Sequence, residues 1–145
     1  MTEATAETRL RILSLDDDSG NQSLIGAILS RATEPDLCRA ELIQASTIAQ
    51  ARALLAVRGV DIVLLDVQLP DGLGLDLANE LRSEGVRRPA VLALTASVLP
   101  ADQQAAIDAG CDAFLAKPFA ASQLIRTLQR LTRERNERIA GAASA

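Results

Sequence analysis

Hydrophobic positions along the chain alternate between short continuous runs and helical spacing. Leu10 to Leu15 is an apolar run, and Leu24, Ile25, Ile28 and Leu29 then recur once per helical turn, so the pattern predicts a strand followed by a helix. Leu37 to Ile43, apolar with polar residues interspersed, reads as a second strand, and Ile48, Ala51, Leu54 and Leu55 mark one face of a second helix. Asp61-Ile62-Val63-Leu64-Leu65-Asp66 is apolar between two acids, as a strand covered on both faces should be. After the turn signal Pro70-Asp71-Gly72, residues Gly74, Leu77, Ala78 and Leu81 give a third helix, stopped by Gly85 and Pro89. A strand from Ala90 to Leu94, a short helix from Pro100 to Gly110, a strand from Ala113 to Ala116 and a helix through Leu124, Ile125, Leu128 and Leu131 complete the series.

Five strands alternating with five helices imply an α/β fold, a doubly wound parallel sheet, because each parallel crossover needs a return connection. One domain is expected over residues 9–132. Residues 1–8 read as a flexible N-terminal segment and residues 133–145 as the end of the last helix and a disordered tail, since neither stretch carries core periodicity. Ligands of such sheets bind beyond the carboxyl ends of the strands. The first strand ends in Asp16-Asp17, the third in Asp66, the fourth in Thr95 and the fifth in Lys117-Pro118, whereas the second ends in the undistinguished Gln44-Ala45-Ser46. The flavodoxin-like (βα)5 order 2-1-3-4-5, borrowed from that fold, puts the second strand at the edge and makes the four polar ends neighbours.

Charge narrows the partners. Fifteen basic against nineteen acidic residues give a net charge of −4, which disfavours nucleic acid or an anionic membrane and favours a metal ion or a cationic patch on another protein. Histidine is absent, which excludes a Ser-His-Asp triad, a His-ligated metal and a phosphohistidine carrier. Cys38 and Cys111 stand far apart and outside any close-spaced motif, so both read as small buried hydrophobes in a reducing compartment. Neither a signal peptide nor an apolar run of ~20 residues is visible, and a cytoplasmic location is expected.

Three adjacent carboxylates, Asp16, Asp17 and Asp18, close the first apolar run, and like charges at that spacing repel unless positive charge is supplied. Asp18 and Ser19 read as helix caps. Asp16 and Asp17 have the competing reading of helix-entry acids, Asp66 of a turn residue, Thr95 of a strand residue and Lys117 of an exposed cation. Their case rests on their joint placement. Arg126, Arg130, Arg133, Arg135 and Arg138 on the last helix read as a solvated face.

The segments "ILSLDDD" (12–18), "DIVLLDVQLPDGLGLDL" (61–77), "ALTAS" (93–97) and "AGCDAFLAKPF" (109–119) resemble, in order and in placement, the receiver domain of two-component response regulators. The stretches Asp66-Val67-Gln68-Leu69-Pro70 and Ala93-Leu94-Thr95-Ala96 are more similar to receivers of hybrid sensor kinases than to those of DNA-binding regulators. The resemblance implies that Asp66 is the phosphoacceptor. It implies Mg²⁺ held by Asp17, Asp66 and the backbone carbonyl of Gln68, with Asp16 acting through water. Lys117 would give a positive charge, and Thr95 its hydroxyl, to phosphoryl oxygens, while Ala96 leaves room for the group. Gln68, Ser97 and Ala96 would tune its lifetime. Thr95 and Phe114 would form the switch, with Phe114 turning into the space that Thr95 vacates; Phe lacks the hydroxyl of the Tyr found in many relatives. The output face would be the helix after the fourth strand, the fifth strand and the last helix.

A single-domain receiver is therefore expected, one that catalyses only its own phosphorylation and dephosphorylation. Its donor would be a sensor histidine kinase or histidine phosphotransfer protein, and its output an unknown downstream protein, with no direct nucleic acid or membrane contact. Both a monomer and a phosphorylation-dependent dimer fit. The short stretch after the last helix leads to the expectation of no effector domain. The alternatives are a receiver fragment of a hybrid sensor kinase, a receiver that binds partners without phosphorylation, and a Mg-dependent haloacid dehalogenase-type phosphohydrolase, for which Asp16 and Asp18 offer the two-residue acid spacing.

Overall fold

The computed structural model describes residues 9–97 and 99–144; the segment 1–8, read above as flexible, lies outside the described residues. Five strands, β1 (Arg11–Leu15), β2 (Glu41–Ala45), β3 (Ile62–Asp66), β4 (Ala90–Thr95) and β5 (Ala113–Ala116), form one parallel sheet in the order β2-β1-β3-β4-β5. The helices are α1 (Ser19–Ser30), α2 (Ile48–Val57), α3 (Gly74–Arg82), α4 (Pro100–Asp108) and α5 (Ala121–Ser144). A small antiparallel hairpin, Gln68–Leu69 with Gly72–Leu73, sits between β3 and α3.

The continuous apolar runs are explained by a sheet covered on both faces. In β3, Ile62 and Leu64 join Ile12, Ile25, Leu29, Leu124 and Leu128 under α1 and α5. Val63 and Leu65 point the other way, into Leu13, Ala51, Leu77 and Leu81 under α2, α3 and α4. The four apolar β3 side chains, Ile62 to Leu65, are fully buried, and burial of each such side chain stabilises the fold by ~1.5–3 kcal/mol.

Several expectations need correction. Residues 35–38 form a helical turn rather than the start of β2, because Pro35 lacks the N–H a strand would use and suits a helix start. Within that turn Leu37 is the buried residue, so Cys38 is exposed rather than a core hydrophobe; Cys111 is buried, and that burial, with the neighbouring Asp112 charge, pushes its thiol up to about 12. In α1, Ile25 and Leu29 are buried but Leu24 is half exposed. The last helix, α5, runs on to Ser144, through the stretch read above as its end and a tail. Its arginines are not all solvated. Arg135 donates to the carbonyls of Arg88 (3.0 Å) and Arg87 (2.7 Å) and pairs with Asp61 (2.9 Å), and Arg138 donates to the carbonyls of Val86 (2.8 Å) and Arg88 (2.7 Å). No helix among the described residues is long and apolar enough to cross a membrane.

Candidate functional site

The carboxyl ends of β1 and β3 are adjacent in the sheet, which brings Asp16 and Asp17 beside Asp66: one carboxylate oxygen from each lies within 4.8 Å of the others. Lys117 follows β5, two strands from β3. Strands lie ~4.8 Å apart, so only a long side chain crosses the end of β4. Lys117 does so, with Nζ 3.3 Å from Asp16 Oδ2 and 3.5 Å from Asp66 Oδ1, while its backbone N–H donates to the Thr95 carbonyl at 2.7 Å.

The three acids are held differently. Asp16 is 2 % exposed, and a carboxylate so buried requires donors. It receives the Asp18 N–H on Oδ1 (2.9 Å) and both Asn21 Nδ2 (3.1 Å) and Lys117 Nζ on Oδ2. Asp17 is exposed and accepts no hydrogen bond among the described residues. Asp66 is partly buried, and burial pushes its carboxyl above the usual carboxylate range; the Lys117 charge opposes this, the Asp16 charge adds to it, and the Gln68 N–H at 3.4 Å favours ionisation. Three carboxylates offering oxygen to one point suit a hard divalent cation such as Mg²⁺. Asp18 stands apart from this trio: its Oδ1 accepts the N–H groups of Gly20 (2.7 Å) and Asn21 (3.2 Å) as the α1 cap, while Ser19 is already helical.

Asp66, Gln68, Thr95, Ala96, Ser97 and Lys117 line one groove. Thr95 is buried, and its Oγ1 accepts the Ser97 N–H at 3.0 Å. The Ser97 hydroxyl donates to Asp102 in the first turn of α4 and accepts the Leu99 N–H at 3.2 Å, so Ser97 is joined to the start of α4. Phe114 is half-buried on β5, opposite Ala93, against the core under α4.

Four residues carry structural work at this site that sequence reasoning missed. Gln22 is buried, and its Nε2 donates at 3.0 Å to the carbonyls of Ser14, Asp16 and Ala45, locking the ends of β1 and β2. Its signal was present: Gln22, Ile25 and Leu29 share one helical stripe, so a polar amide falls on a buried face. Asn21 holds Asp16, as described above. Gly74 N donates to the Val67 carbonyl at 2.7 Å, and a Cβ there would lie 2.2 Å from the Asp66 carbonyl oxygen, so only glycine lets α3 start against the end of β3. Asp71 caps α2 across the loop, accepting the N–H groups of Ile48 (2.9 Å) and Ala49 (3.1 Å).

The family model for the response regulator receiver domain matches residues 12–129. The chain is 33% identical over 122 residues to the sensory/regulatory protein RpfC of Xanthomonas campestris pv. campestris, covering 82% of this chain and 16% of that protein. It is 36% identical over 135 residues to the swarming motility regulation protein RssB of Serratia marcescens, covering 93% of this chain and 57% of that protein. It thus spans little more than half of one relative and a small part of the other. Among solved structures it is similar to the receiver domain of sensor histidine kinase PA1611 from Pseudomonas aeruginosa PAO1, which has a magnesium ion coordinated in its active site cleft. That match has 31% identity, a TM-score of 0.73, and covers 86% of this chain and 98% of the other. The family match and the use of Asp18 as a helix cap remove the dehalogenase-type alternative. With five parallel strands in the expected order and this match over most of its length, the chain belongs to the response regulator receiver domain family of two-component signalling.

Proposed function

We propose that this receiver takes a phosphoryl group onto a carboxylate oxygen of Asp66 from a phosphohistidine of a sensor kinase or histidine phosphotransfer protein. The donor P–N bond breaks as the P–O bond to Asp66 forms; the imidazole recovers a proton and an acyl phosphate remains. The observation that carries the reading is the Lys117 ammonium 3.5 Å from Asp66, beside two further carboxylates at the open end of the sheet. Bound Mg²⁺ would neutralise the anionic oxygens that meet there, held by Asp17, Asp66 and the Gln68 carbonyl, with Asp16 contributing through water. Lys117 supplies a fixed positive charge to the incoming group. The Thr95 hydroxyl donates to another phosphoryl oxygen, and the small Ala96 side chain leaves access.

Phosphorylation adds about −1.5 to −2 charges and new acceptors at Asp66. That charge draws the Thr95 hydroxyl inward from its contact with the Ser97 N–H, and Phe114 moves into the space behind it. The α4–β5–α5 face then signals to a partner protein, with Gln68 and Ser97 tuning the lifetime of the modified state. Likeness to RpfC and to the PA1611 receiver favours a second reading, in which this chain is the receiver of a hybrid sensor kinase. The phosphoryl chemistry is the same in both, and a cytoplasmic location fits a donor kinase that draws on ATP.

Incubation with a small acyl phosphate and Mg²⁺, followed by intact mass measurement, tests the reading. One labile phosphoryl adduct is expected, abolished by Asp66→Asn and by EDTA. An adduct that survives Asp66→Asn would refute the assignment of Asp66, and absence of any adduct on the wild-type chain would favour a receiver that binds partners without phosphorylation.

A further inference from the structure

We propose that Asn21 is a positioning residue of the metal site, fixing the orientation of the Asp16 carboxylate; this rests on the reading of the acid trio as a Mg²⁺ site. Asn21 follows the Asp18 cap by three residues, in the first turn of α1. Its Nδ2 donates to Asp16 Oδ2 at 3.1 Å, the oxygen that Lys117 Nζ also reaches at 3.3 Å, while the Asp18 N–H holds Oδ1 at 2.9 Å. Reversing the amide would set its oxygen against a carboxylate, so the nitrogen faces Asp16.

Three donors leave Asp16 little lone-pair capacity for a direct bond to a cation. Asp17, exposed and accepting nothing among the described residues, keeps all of its own. Asn21 thereby assigns Asp16 to an outer role and stops it swinging toward Asp66. Lys117 alone does not provide this restraint, because its ammonium is shared between Asp16 and Asp66. Asn21 Nδ2 is the side-chain donor that, among the described residues, serves Asp16 Oδ2 alone. Being neutral, it orients the carboxylate without cancelling the negative charge that attracts the cation. The next residue completes the restraint from the other side: Gln22 Nε2 holds the Asp16 carbonyl at 3.0 Å, so two consecutive amides of α1 fix the side chain and the main chain of the same acid.

The test is titration of the unphosphorylated Asn21→Ala variant with Mg²⁺, followed by amide chemical shifts. Loss of such an orienting partner typically weakens metal binding 10–100-fold, so the dissociation constant is expected to rise about tenfold. The Mg²⁺ concentration giving half-maximal phosphorylation should rise in the same proportion. The urea midpoint should stay near wild type, since Asn21 is only partly buried and Ala suits a helix. Wild-type Mg²⁺ affinity in Asn21→Ala, or weaker binding with a matching loss of stability, would overturn the proposal. Because the titration needs no phosphodonor, a chain that binds Mg²⁺ yet takes no phosphoryl group would count against the proposed function and not against Asn21.

Discussion

Lys117 Nζ lies 3.5 Å from Asp66 Oδ1, so the charge introduced from β5 offsets the burial that pushes the Asp66 carboxyl upward. Lys117→Met removes that offset and leaves the Asp16 charge to add to burial. The Asp66 titration, followed by carboxyl NMR without Mg²⁺, should move further above the usual carboxylate range. Loss of a fixed donor to a developing anion typically costs 10²–10³ in rate, and phosphoryl uptake from a small acyl phosphate should fall by about that factor. An Asp66 titration unmoved by the substitution would mean that the two groups are not coupled.

Gly74 is the residue on which the position of Asp66 depends most directly. A Cβ at 74 would lie 2.2 Å from the Asp66 carbonyl oxygen and 3.0 Å from Leu65 Cδ1, so Gly74→Ala must move either the end of β3 or the start of α3. Overpacking of this kind costs about 1–3 kcal/mol, and urea unfolding should show a loss in that range together with slower phosphorylation of Asp66. Gly141→Ala is the control: it meets nothing within 4 Å in the helical α5 and should be neutral or slightly stabilising.

The sheet was legible because its runs are apolar on both faces, so β3 could be read from Ile62 to Leu65 without knowing what covers it. The four polar strand ends were legible for the same reason, since a polar residue closing a buried apolar run marks the end of the sheet. What escaped was polar work done by residues whose type says little: Gln22 resembles a surface residue until its stripe is traced, and Asn21 acts only through Asp16. The length of α5 escaped because it is stabilised from another segment. Arg135 and Arg138 carry no apolar periodicity, and the carbonyls they hold belong to residues 86–88.

Asp71 makes stability depend on pH in a defined direction. The Ile48 and Ala49 N–H groups at the start of α2, and the nearby Arg52 charge, hold its carboxyl below the ordinary value. A folded value below the unfolded one means that the stabilisation is present above the unfolded value, about 3.9, and is lost as pH falls through the depressed folded value. Urea midpoints for wild type and Asp71→Ala should therefore differ at pH 7 and converge on acidification below about pH 4. A gap that stays constant with pH would assign the effect to packing of the loop rather than to the carboxylate.

Arg135 should matter more to stability than its place in a run of surface arginines suggests. Its side chain is 13% exposed and makes three contacts, to Asp61 at 2.9 Å and to the carbonyls of Arg88 and Arg87, while Asp61 Oδ2 accepts the Arg11 N–H at 2.8 Å at the start of β1. One guanidinium thus joins α5, the segment before β4 and the start of β1. Hydrogen bonds involving a charged group contribute about 1.5–3 kcal/mol, so Arg135→Ala should cost about 2 kcal/mol in urea unfolding. Amide exchange should quicken over residues 86–88 and 133–140. Arg130, exposed and paired among the described residues only with Glu134 at 3.7 Å, should change stability by less than ~0.5 kcal/mol when replaced by Ala. Equal effects from the two substitutions would show that the helix extension is held by its own propensity and not by the carbonyls of residues 86–88.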